Sequence, residues 1–108
     1  MNSITNTLKD FEECETLDEV REHIDSLDLQ IVPLLLERNH YVGQAAKLKG
    51  NVDAARVPWR IEEVIKKVRA TSVLLGQDTK IVEDIYREMI EINIKEEQSQ
   101  IAQRKTNK

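Results

Sequence analysis

Residues 17–49 carry a stripe of helical period that never loses phase. Val20, Ile24, Leu27, Ile31, Leu34 with Leu35, Arg38, Val42, Ala45 and Lys49 follow one another at steps of three or four. That repeat lays side chains along one face of an α-helix. Thr16 can cap the start, with Glu19 three residues on, as in a capping box. At about 1.5 Å per residue such a helix is about 50 Å long. A globular chain of 108 residues cannot cover it alone. Helices of this length belong to coiled coils and intertwined oligomers. Pro33 removes one backbone donor and crowds the preceding turn, so a kink is expected there. The stripe keeps its phase across the proline, so the helix is read as continuous.

Two shorter helices follow. "GNVDAAR" (50–56) reads as a loop, with Gly50 at the helix end. A second helix starts near Pro58, a favoured first-turn residue, and carries Ile61, Val64, Ile65, Val68 and Leu75. Gly76 ends it, and Asp78 or Thr79 caps a third. The third stripe is Val82, Ile85, Tyr86, Met89, Ile90, Asn93, Ile94 and Glu97. The spacing predicts an all-α chain of one long and two shorter helices. A flexible segment over 1–15 precedes a helical domain over 16–100, and a polar tail over 101–108 is expected to fray. Aromatic residues make up only 4% of the chain, and glycine and proline together number five. Small β-domains use more of both.

Composition narrows the function. A net charge of −4 argues against nucleic acid, which needs a basic field facing its phosphates. It leaves room for a small anion held by a local cluster of arginine and lysine. Cys14 is the one cysteine, which rules out an intrachain disulfide and a thiolate metal site. His23 and His40 lack a metal-ligand spacing and read as helix-surface residues, so no metal is expected. No run reaches the ~18 apolar residues of a membrane span. The N-terminus lacks the basic-then-apolar order of a signal peptide, so a cytoplasmic protein is expected.

The odd feature is charge on the apolar faces. Taken singly, Arg38 reads as a snorkelling rim residue and Lys49 as a cation favoured at a helix C-terminus. Asn93 and Glu97 read as lying beyond the core. Taken together they form a pattern. Arg38 and Lys49 are eleven residues apart and project within about 20° of each other. Glu97 lies seven residues after Ile90 and four after Asn93, in register with that face. A buried charge without a partner costs several kcal/mol. The cations therefore meet polar residues in an internal salt bridge, or they line a pocket for an anionic ligand. Arg21 lies ~25 Å from Arg38 along the axis and about 100° around it. One helix cannot bring both to one small ligand. A second copy running antiparallel can.

"LDEVREHIDSLDLQIVPLLLERNHYVGQAAKLKG" resembles the first helix of the all-helical (type II) chorismate mutase family. The residues that carry the likeness are Arg21, Ile24-Asp25, Asp28, Arg38 and Lys49. The resemblance spans about residues 14–98. It implies an intertwined homodimer whose two active sites are each crossed by the partner's first helix. It also implies a cofactor-free pericyclic enzyme acting on a small dicarboxylate. Most members rearrange chorismate to prephenate, a step in aromatic amino acid biosynthesis. One branch eliminates pyruvate from isochorismate to give salicylate. Such chemistry needs a substrate held in its folded conformation and stabilisation of negative charge on the ether oxygen. Carried over by residue, Arg38 and the partner copy's Arg21 bind carboxylates through the guanidinium fork. Lys49 donates to the ether oxygen, Arg60 contacts substrate, and Asn93 lies near a carboxylate. The catalytic set is Lys49, Glu97 and Arg38.

Two positions depart from the family pattern. Glu97, with Gln98 next to it, stands where a glutamine commonly donates to the ether oxygen. A carboxylate only accepts, whereas a protonated carboxyl donates. If Glu97 acts protonated, activity falls as pH rises; if the register slips by one, Gln98 takes the role. Ile61 follows Arg60 where typical mutases place a glutamate against the ring hydroxyl. That departure, the "YV" (Tyr41, Val42) that follows Arg38 and the "ECETLDEVRE" opening look more like the isochorismate branch. The leading expectation is a chorismate mutase. The alternatives are an isochorismate pyruvate-lyase and a non-enzymatic helical dimerisation or regulatory module.

Overall fold

In a computed structural model, which describes residues 11–106, the chain forms three α-helices. They are α1 (Leu17–Leu48), α2 (Pro58–Leu74) and α3 (Lys80–Thr106), with a short 3₁₀ turn, Val52–Ala55, between α1 and α2. Residues 1–10 of the expected flexible N-terminal segment lie outside the described residues.

Helix α1 runs unbroken through Pro33. The Thr16 hydroxyl accepts from the Glu19 amide at 3.1 Å. The Glu19 carboxylate accepts from the Glu15 amide at 3.0 Å, not from that of Thr16, so the capping box is only half formed. Helix α2 begins on Pro58, whose missing donor costs nothing in a first turn. It ends in a Schellman arrangement: Gly76 and Gln77 donate to the carbonyls of Val73 and Ser72, both at 3.0 Å. That motif needs a left-handed residue, and Gly76 supplies it with φ of 72°. Asp78 accepts from the Lys80 amide at 2.8 Å at the start of α3.

One sequence expectation is corrected: the 50–56 segment is not simply a loop, because Asn51 accepts from the Ala54 amide and closes the 3₁₀ turn. From residue 101, where a polar tail is expected, α3 is helical as far as Thr106 and Ile101 is fully buried.

Helix α3 is the central element and packs against α1, α2 and the 3₁₀ turn. Ile65, Ile90, Ile94, Ile101 and Ala55 form the core. Fully burying an isoleucine contributes about 1.5–3 kcal/mol. Around this core, Arg69 pairs with Glu83 at 2.6 Å and Arg87 with Glu62 at 3.1 Å, both between α2 and α3. Arg56 ties the end of the 3₁₀ turn to Glu91 of α3 at 2.6 Å.

The N-terminal half of α1 takes no part in this core. Its stripe residues Val20, Ile24, Leu27, Ile31, Leu34 and Leu35 are 38–65% exposed. The molecule measures 58 × 28 × 25 Å, with a radius of gyration of 17.6 Å. A compact chain of this length has about 13 Å. No helix among the described residues is long and apolar enough to cross a membrane.

Candidate active site

The C-terminal half of α1 lies along α3, so the two polar positions of each stripe face one another. Arg38 donates from Nη1 to Asn93 Oδ1 at 2.6 Å. Its guanidinium also lies over the Tyr86 ring, 5.6 Å from the centroid, in reach of a cation–π contact. Asn93 in turn donates to Asn39 at 3.3 Å. Arg38 therefore has neutral partners and no carboxylate within salt-bridge distance among the described residues. At the C-terminal end of α1, Lys49 Nζ donates to Glu97 Oε1 at 2.7 Å and to the Ala55 carbonyl at 3.3 Å. The Glu97 side chain is 8% exposed and that of Lys49 24%. Taking such a pair from water is costly, and short, well-aligned contacts are what offset the cost.

These side chains line a cavity of about 310 Å³, large enough for a small organic ligand. Arg38, Lys49, Asn93 and Glu97 supply its polar wall, and Arg60 enters from the first turn of α2. Arg60 Nη1 donates to Glu63 Oε1 at 2.6 Å, and this arginine holds the Glu63 carboxyl below the usual carboxylate range. Ile61, Val64, Val42, Ala45 and Ile94 complete an apolar wall. A second cavity of about 510 Å³ adjoins the first, sharing Arg38, Arg60 and Val64. Lys67, Val68, Thr71, Leu75, Val82 and Tyr86 line it further.

The structure thus brings together Arg38, Lys49, Arg60, Asn93 and Glu97. Arg21 stays apart: it lines neither cavity, and its nearest acidic neighbour is Asp18 at 4.0 Å. Glu97, not Gln98, faces the pocket, so the helical register holds without a slip. Sequence reasoning missed three contributors. Tyr86 was read only as a stripe residue, although it lies seven before Asn93 on the same face. The Ala55 carbonyl reaches Lys49 only because of the 3₁₀ turn. Tyr41 lines the cavity one turn after Arg38.

Two comparisons bear on this arrangement, and no solved structure matches the chain. It is similar to the isochorismate pyruvate lyase of Pseudomonas aeruginosa, with 31% identity over 90 residues. That alignment covers 83% of this chain and 89% of the Pseudomonas protein. The family model for chorismate mutase type II matches residues 20–98, which include every polar residue of the pocket. The chain belongs to the chorismate mutase type II family.

Proposed function

We propose that the cavity holds an enolpyruvyl dicarboxylate of the chorismate class and breaks its ether C–O bond in a pericyclic step. The carrying observation is Arg38, a partly buried cation with only neutral partners, facing a cavity beside Lys49. Arg38 and Arg60 clamp carboxylates; for Arg60 a substrate carboxylate competes with Glu63. The Lys49 ammonium donates to the ether oxygen as negative charge develops there, and Glu97 holds that ammonium in place. No nucleophile is required, which fits a site made of donors.

Of the two reactions, elimination of pyruvate from isochorismate fits the pocket wall better. Chorismate carries its ring hydroxyl opposite the ring carboxylate; isochorismate carries it beside the carboxylate. Ile61 offers nothing to a hydroxyl at the far end of the ring, and a buried hydroxyl without a partner costs about 1–3 kcal/mol. The name of the Pseudomonas relative supports the same choice. Rearrangement of chorismate to prephenate is the second reading. It is favoured by the match to a mutase family model, and the Lys49–Glu97 arrangement serves either ether.

The site is proposed to be completed by a second copy. The stripe of α1 is bare from Val20 to Leu35, and a partner's α1 laid antiparallel along it would carry the partner's copy of Arg21 toward a substrate carboxylate. Offering purified protein chorismate and isochorismate separately tests the reading. Salicylate and pyruvate are expected from isochorismate, and prephenate alone reverses the order. Turnover of neither, with no rise in melting temperature at millimolar substrate, removes the enzymatic reading in favour of a dimerisation module.

A further inference from the structure

Helix α1 ends without the usual device. The Lys49 amide donates to the carbonyls of Ala45 at 3.2 Å and Ala46 at 3.3 Å, which leaves the later carbonyls without a partner in the helix; a left-handed glycine commonly closes such an end. Here Lys49 is extended, with φ −89° and ψ 136°, and Gly50 does not enter the left-handed region. A side chain from the far end of α3 does the work instead. Arg104 donates from Nη2 to the carbonyls of Ala46 at 2.9 Å and Lys49 at 3.0 Å. From Nη1 it donates to the carbonyl of Lys47 at 2.9 Å. The planar fork suits this task because its donors diverge in one plane. Its charge also sits at the negative end of the helix dipole.

Arg104 lies seven residues after Glu97, two turns along α3 and on the same face. Ile101, fully buried, anchors the stretch between them. One face of α3 therefore grips Lys49 twice, by its carbonyl through Arg104 and by its ammonium through Glu97. Arg104 does not line the cavity. We infer that Arg104 is a positioning residue: by clamping the end of α1 it aims the Lys49 ammonium into the pocket. This rests on the proposed role of Lys49 at the ether oxygen.

A displacement of ~1 Å at a reacting group can cost about 100-fold in rate. Arg104→Ala is therefore expected to lower kcat by about 10–100-fold. KM should change little, because the carboxylate-binding arginines are untouched. Arg104→Lys, which keeps the charge and can reach at least one carbonyl, should recover part of kcat. A second readout is independent of turnover. In a spectrum of ¹⁵N-lysine protein, the protected Lys49 ammonium signal is expected to shift or vanish in Arg104→Ala and to persist in Arg104→Lys. If Arg104→Ala does not fold, Arg104→Gln, which loses the charge and the planar fork, carries both readouts with the same expected loss of kcat and shift of the Lys49 signal. An unchanged Lys49 signal together with kcat within twofold overturns the inference, as does a rise in KM that accounts for the whole loss. If the unsubstituted protein turns over neither substrate, the functional reading fails, and the Lys49 signal alone decides the role of Arg104.

Discussion

Arg38 on an apolar helix face is explained by what meets it. Asn93 accepts one guanidinium bond at 2.6 Å, and the Tyr86 ring lies beside it, so the cation is held without being neutralised. A carboxylate ligand would gain charge-assisted bonds, each contributing about 1.5–3 kcal/mol. Arg38→Ala is accordingly expected to lower kcat/KM about 100-fold, with circular dichroism unchanged; survival of activity would mean the site is misassigned. Glu97 accepts from Lys49 Nζ through Oε1 at 2.7 Å. Removing that partner frees the ammonium, so Glu97→Ala is expected to lower kcat more than it raises KM; full activity in Glu97→Ala would remove Glu97 from the site. That Arg38, Lys49, Asn93 and Glu97 share one site was legible in their spacing. Their pairing was not, since phase along a helix says nothing of which facing helix supplies the acceptor.

At the scale of elements, the long stripe, the Pro58 start and the Gly76 stop were readable from period and punctuation. The end of α3 was not, because "QIAQRK" is polar apart from Ile101 and Ala102. The missed signal is that Ile101 continues the series Ile90, Ile94, Glu97 at a step of four. Ile101→Ala is expected to destabilise the fold by about 2–5 kcal/mol, measured by urea unfolding. A loss below ~1 kcal/mol would mean this last stretch frays. The α2–α3 contact also makes a claim about acid. Hydrogen bonds from Arg69 and then Thr79 hold the Glu83 carboxyl down to about 2, against an ordinary value of 4.5. A lowered folded pKa contributes stability that is complete above the unfolded value and lost as pH falls through the folded one. The melting temperature should therefore drop between about pH 4.5 and about 2, and Glu83→Gln should reduce the drop in that window.

For the whole molecule the informative quantity is shape. A chain 58 Å long, with half of its longest helix bare on the apolar side, has a surface fit for a second copy. The proposed dimer, of twice 12.5 kDa, places Arg21 and Arg38 of one site on different chains. Arg21→Ala and Arg38→Ala proteins should each be nearly inactive. When they are mixed and allowed to exchange subunits, half of the dimers are hybrids with one intact site of two, so activity should return to about a quarter. No recovery on mixing would place both arginines on the same chain's site. Sequence length alone raised the idea of a partner, because no monomer of this size can bury such a helix. In the proposed dimer, Arg21, which lines neither cavity of its own chain, would have a substrate carboxylate to bind.

The short 3₁₀ turn beside Lys49 has a consequence for valence. An ammonium group has three hydrogens. The carbonyl of Ala55 takes one and Glu97 a second. A single hydrogen is left for an arriving acceptor, and its direction is set by the other two. In the proposed reaction a substrate oxygen need not reorganise the lysine to use it.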